Sequence, residues 1–167
     1  MYLHGYGIAK DSAKAVHWFE RAADQRNAAG LNALSVMYQK GDGVPKDARK
    51  ASMLLLAAAD LGSSCAQFNL VQVYMGGNGV TASSETAARW ILKAAQGGLA
   101  PAQYYLGMMA LKGRVVKQDD AEVIKWFRLA AAQDLSFAQV RVGWMCEQGR
   151  GRQSEPYDSD EMVSSGS

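Results

Sequence analysis

Between Ala100 and Lys112 the small and apolar residues Ala102, Leu106, Met109 and Ala110 fall on one stripe at helical spacing. Gly113 follows where a helix needs a left-handed C-cap, since glycine has no Cβ to clash at positive φ. A second apolar-periodic run starts after Asp119, with Glu122 placed as a reciprocal cap, and carries Val123, Trp126, Phe127, Ala130 and Ala131. The pattern predicts two helices joined by a glycine turn.

The same pattern recurs with a step of 36. Gly5, Gly41, Gly77, Gly113 and Gly149 keep it without an insertion, as do the alanine pairs beginning at Ala22, Ala58, Ala94 and Ala130. Trp18, Leu54, Trp90 and Trp126 form a large apolar series, and Leu34, Leu70, Leu106 and Val142 another. Asp11, Asp47, Ser83 and Asp119 form a series of good helix N-caps. A fixed period of about 20–50 residues signals stacked supersecondary units. Repetition also decides how to read "MYQKGDGVPKDARKA" at 37–51, whose glycines and lysines suggest a phosphate cradle. A phosphate loop follows a strand, whereas here Gly41 reads as a C-cap, Val44-Pro45 as a buried, stiffened turn and Asp47 as the next N-cap. Lys40 and Lys46 are then solvated turn residues.

Small residues at fixed places imply close packing. Ala22, Ala58, Ala94 and Ala130 admit a neighbouring helix, and Gly107 and Gly143 are expected to do the same on the first helix of their units. Glycine inside a helix costs roughly 1 kcal/mol against alanine, so a packing return is expected.

The run Ala-x-x-x-Leu-Gly-x-x-(Tyr/Ala)-x-x-Gly-x-x-Val, then an Asp-capped helix with Trp and an Ala-Ala pair, resembles Sel1-like repeats, relatives of tetratricopeptide repeats with a longer turn. Ala102, Leu106, Gly107, Gly113, Val116, Asp119, Trp126, Ala130 and Ala131 carry the resemblance in its clearest copy, and it extends over about residues 1–151. It implies an all-α, right-handed α-solenoid of antiparallel helix pairs. The units expected are a partial repeat at 1–28, full repeats at 29–62, 63–98 and 99–134, a half repeat at 135–152 and a disordered acidic tail at 153–167.

Composition changes this picture little. The 167 residues, 49% hydrophobic, suit one packed domain, and no apolar run approaches the ~18 residues of a membrane span. No signal peptide is visible at the start, yet Met1 falls inside a unit, so Trp18 or its neighbours are expected to be exposed. A longer parent protein is the preferred explanation, over an atypical cap or a self-association surface at that end. The net charge of +2 becomes +6 without the tail acids Glu155, Asp158, Asp160 and Glu161. A body so mildly basic suits a solvated surface, an acidic partner or its own tail. No basic stripe interleaved with aromatics supports nucleic-acid binding; Arg141, Arg150 and Arg152 make only a small basic end.

Candidate chemistry is sparse. Cys65 and Cys146 lie too many helix layers apart to meet, since a disulfide needs Cα atoms within about 7 Å; both read as structural. Some secreted Sel1-like proteins carry a helix-stapling cysteine pair in each repeat, and this chain does not. That favours a cytoplasmic placement, with a periplasmic or secreted one open if the chain is cut from a longer precursor. His4 and His17 have no ligand partners nearby, so no metal and no cofactor is expected. The Ser-x-x-Lys arrangement of penicillin-interacting enzymes is absent, although a few secreted cousins are linked to β-lactam binding or hydrolysis. Adjacent Asp119 and Asp120 sit at a cap rather than facing across a cleft as paired catalytic carboxylates do. No catalytic residue is assigned.

A partner is therefore expected on the helix face opposite the packing stripe. Tyr104, Met108 and Leu111 lie about 140–200° from Leu106, and in tetratricopeptide-like stacks this face lines the concave groove. The same register gives Asn32, Val36 and Gln39 one unit earlier, then Phe68, Gln72 and Met75, and finally Val140 and Trp144 with Glu147. Phe68, Tyr104, Met108 and Trp144 are too apolar for an idle solvent face, unless superhelical curvature buries them between units. What the resemblance implies is a non-catalytic scaffold or adaptor, often bacterial, that holds a peptide or protein in this groove. A penicillin-interacting hydrolase and a self-associating spacer are the rival readings.

Overall fold

Asp11, Asp47 and Ser83 each cap a helix by the same device. Each side chain accepts a hydrogen bond from the backbone N–H three residues ahead, at Lys14 (3.0 Å), Lys50 (2.9 Å) and Thr86 (3.1 Å). Asp119 departs slightly, accepting from Ala121 N two residues on. At the other end of the preceding helices Gly41 (φ 74°) and Gly77 (φ 68°) take the left-handed conformation, and their N–H groups return to the carbonyls of Met37 and Val73. Starts and stops spaced in this way produce equal helices.

The computed structural model describes residues 11–113 and 119–150. Eight helices account for them: α1 (Ser12–Asp24), α2 (Ala28–Lys40), α3 (Ala48–Asp60), α4 (Ser64–Gly76), α5 (Ser84–Gln96), α6 (Ala100–Leu111), α7 (Asp120–Ala131) and α8 (Ser136–Glu147). No strand occurs among the described residues. Each helix packs on its neighbours in chain order, so α2–α3, α4–α5 and α6–α7 are full pairs, with α1 and α8 as single helices at the two ends. The fold is an α-solenoid. Contacts also link the first helices of successive pairs. Asn69 of α4 donates to Asn32 of α2 at 3.1 Å, Phe68 of α4 meets Tyr105 of α6 edge-on at 6.4 Å, and Tyr104 of α6 lies 6.5 Å from Phe137 of α8.

The alanine series does what its spacing predicts. Ala58, Ala94 and Ala130 are completely buried, and a Cβ on Gly30 would lie 2.5 Å from that of Ala22. Gly107 faces Phe127, whose ring would stand 2.7 Å from an added Cβ. Gly143 is different: nothing lies within 4 Å of such an atom. The expectation for Gly143 is therefore corrected, because α8 has no second helix of its own among the described residues to press against it. The two thiols need a correction too. Cys65 and Cys146 are free and exposed rather than packed. Trp18 is 51% exposed, as the pattern of the first unit predicts, with the Arg21 guanidinium 5.2 Å from its ring centre. His4, Val116, Arg152 and the acidic tail lie outside the described residues.

A polar series joins the units as well. Gln67, Gln103 and Gln139, again one period apart, each donate an amide hydrogen to the carbonyl of Ala59, Ala95 or Ala131 at the end of the preceding helix (3.2, 3.2 and 3.4 Å). Gln67 and Gln103 are buried, so each bond satisfies a group that water cannot reach. The side-chain amide of Gln133 adds bonds to Gly98 O and Gln103 Oε1.

Asp120 is not one of a catalytic pair. Asp119 faces its own helix, while Asp120 receives Arg150 Nε at 3.0 Å and Nη2 at 2.7 Å, tying the start of α7 to the segment after α8. Those hydrogen bonds, with a smaller attraction from the guanidinium charge and against partial desolvation, hold the Asp120 pKa below its ordinary 3.8. A depressed carboxylate contributes stability above its unfolded pKa and loses it as pH falls through the folded value. Wild-type protein should therefore melt above Asp120→Asn at neutral pH, by the small margin of a half-exposed pair. The margin should vanish as pH drops through the lowered pKa, as paired thermal melts across acid pH will reveal.

Candidate interaction groove

The first helices carry almost no charge. Neither α4 nor α6 contains a charged residue, and α2 contains only Lys40. Most helical acids and bases stand on α1, α3, α5 and α7, while α8 carries Arg141 and Glu147. Along α2, α4 and α6 the stack is thus nearly uncharged and partly apolar.

Two cavities open along it, at equivalent places in successive units. The first, of about 90 Å³, lies between α2, α3 and α4 and is lined by Ser35, Gln39, Ser52, Asn69 and Gln72, among others. The second, of about 700 Å³, lies between α4, α5 and α6. One period on from those five residues, it presents Val71, Met75, Ala88, Tyr105 and Met108. Every polar side chain named in the first has become apolar or aromatic in the second. The larger volume falls in the range of ligand-holding clefts, about 300–1,000 Å³.

The physical reason for the difference begins at Ser52. Its Oγ stands 2.8 Å from the carbonyls of both Ala48 and Asn78, which draws the 77–80 turn down over the first cavity. Gly79, at φ 80°, seats against Ala48 so closely that any Cβ would run into the Ala48 carbonyl oxygen. Gly43 sits against Ser12 in the same manner. In the second cavity Ala88 replaces Ser52 and offers no hydroxyl.

The expected row divides between these sites. Val36, Gln39 and Gln72 line the small cavity; Met75, Tyr104 and Met108 line the large one. Asn32 and Phe68 line neither and serve instead in the helix–helix contacts with Asn69 and Tyr105. Leu111 is half-buried against the Ala110–Val123–Phe127 cluster. Val140 (71% exposed) and Trp144 (38% exposed) face solvent on α8, away from both cavities. Tyr104 has a double role, because its ring also leans on Phe127 at 5.7 Å.

Sequence reasoning missed Val71, Tyr105, Met109, Ala88 and Lys112. It followed a single face of the first helices, whereas α5 supplies one wall of the cavity. A signal was present. Gly7, Gly43 and Gly79 recur two residues after each C-cap glycine, but the next step gives Val115, outside the described residues.

Among the described residues, the charged groups lining the large cavity are Glu85 and Lys112. Glu85 is engaged by Arg89 one turn along α5. No acid among the described residues pairs with Lys112. Nor do the described residues contain any cluster of three or more His, Cys, Asp or Glu that could hold a metal, and no described helix is long and apolar enough to cross a membrane.

Comparison with known proteins agrees with the geometry. The family model described as Sel1 repeat matches residues 1–27, 28–63, 66–99, 100–135 and 136–158. The crystal structure of a Sel1 repeat protein from Oxalobacter formigenes is 34% identical, with a TM-score of 0.85, over 89% of this chain and 43% of that one. The crystal structure of c5321, a protective antigen present in uropathogenic Escherichia coli strains and displaying an SLR fold, is 30% identical, with a TM-score of 0.80, over 92% of this chain and 33% of that one. The chain thus spans less than half the length of either solved structure. No curated protein matches it. Sel1 repeat proteins are generally non-catalytic scaffolds for protein interaction. Five matched repeats and a solenoid shared at this level of identity place the chain in the Sel1 repeat family.

Proposed function

We propose that this chain is a non-catalytic scaffold that holds a peptide or protein segment along the neutral face of its first helices. The segment runs from the polar end at Asn32, Val36, Gln39 and Gln72 to the apolar end at Met75, Tyr104 and Met108. Leu111, Val140 and Trp144 extend the same row towards α8. The observation that carries the reading is the paired set of cavities. Successive repeats hold a cleft at equivalent places, yet one is small, polar and bordered by a tethered turn, whereas the other is large and mostly apolar among the described residues. Methionine and rigid aromatics suit such a role, since the first adapts its shape and the second loses little entropy on binding.

Capture from a bacterial lysate, read by mass spectrometry, tests this. Tyr104 is a poor choice for substitution because its ring supports Phe127. Met75 (53% exposed) and Met108 on the cavity wall are better. The Met75→Asp/Met108→Asp protein should keep its helical circular dichroism and lose specific partners at least about tenfold, as expected for hot-spot anchors. Full retention of the same partners would sink the groove reading.

A further inference from the structure

We propose that the α4–α5–α6 cavity is an anchor site for an acidic amphipathic peptide segment: two bulky apolar side chains enter it, and a carboxylate of the same segment pairs with Lys112. This rests on reading the neutral face as a binding groove. The volume of about 700 Å³ suits more than one side chain. Val71, Met75, Ala87, Ala88, Met108 and Met109 make most of its wall apolar, and the hydroxyls of Ser84, Tyr104 and Tyr105 are few against that surface. A compact polar metabolite would therefore lose more water contacts than it regained. Apolar side chains spaced three or four residues apart on a helix lie side by side and would fill it together.

Charge selects the rest of the partner. Lys112 stands at the rim without an acidic partner among the described residues, while Glu85 on the same rim is engaged by Arg89. The helices α2, α4 and α6 contribute no acid at all. A segment approaching along this face therefore meets a free cation and no free anion on those helices. A flanking Asp or Glu is favoured, and a flanking Lys or Arg is not.

Short random peptides displayed on phage and selected on the full chain supply the probe. Enriched sequences should share two large apolar residues three or four positions apart and a nearby acid. Synthetic, fluorescently labelled copies should bind roughly thirtyfold more weakly by anisotropy to Ala88→Phe, which fills the cavity from α5. With Lys112→Glu the charge preference should invert, so that a peptide carrying Lys in place of its acid binds the variant better than wild type. Unchanged affinity for Ala88→Phe, or an acid preference that survives Lys112→Glu, overturns the anchor site. Peptides displaced by Gln72→Asp but indifferent to Ala88→Phe would leave the groove reading standing and remove this inference alone. A selection that enriches nothing, or only peptides indifferent to both variants, counts against both.

Discussion

Leu106→Ala is expected to lower the unfolding free energy by about 2–5 kcal/mol. Leu106 is completely inaccessible and packs in a cluster with Val71, Ile91, Ala94, Ala102 and Trp126, which come from four helices. Removing its branched end leaves a cavity at the junction between the α4–α5 and α6–α7 pairs. The surroundings have little freedom to close it, since Gly107 next door is already pressed against Phe127. In a solenoid each unit is supported by its neighbours alone, so the damage falls on an interface the stack cannot bypass. Chemical denaturation will measure it as a lower midpoint. Leu92→Ala, at a site 39% exposed on α5, should shift that midpoint far less.

Gly79→Val should cost about 2–4 kcal/mol, from a strained positive φ together with overpacking. The added Cβ has nowhere to go, because the Ala48 carbonyl and Ser52 Oγ already occupy its space. The turn must lift, breaking the Ser52 bond to Asn78 O. Denaturation will give the cost, and hydrogen exchange at the 77–80 turn should rise in step. A variant as stable as wild type would contradict the account of how the 77–80 turn is held against the first cavity. The same substitution brings that repeat towards the sequence of the next, where Val115 holds the corresponding position.

Repetition made the fold legible. A glycine that must adopt positive φ, an aspartate or serine that must cap and an alanine that must admit a helix each leave few permitted residue types at one spacing, and four or five copies multiply the signal. The candidate site was legible only in part, because it consists of departures from the repeat. Met75 and Met108 were visible as apolar residues on a face that should be wet. Tyr105 and Ala88 were not, since their significance comes from the wedge of α5 between α4 and α6. Gly143 was misread because its position in the repeat matched Gly107, while the phenylalanine that gives Gly107 its purpose has no described counterpart beside α8. The role of Tyr104 was half visible, because helical phase places it on the groove side without indicating how far its ring reaches towards Phe127.

The methionines offer the most direct test of the groove. Met75, Met108 and Met109 line the large cavity, Met53 is 65% exposed on α3, and Met37 and Met145 are buried. In protein labelled with ¹³C at the methionine methyls, titration with a captured partner or a selected peptide should shift the signals of Met75, Met108 and Met109. Met53 should stay in place. A ligand that binds tightly while moving Met53, or while leaving all three cavity methyls unmoved, would contradict the assignment of this face as the binding groove.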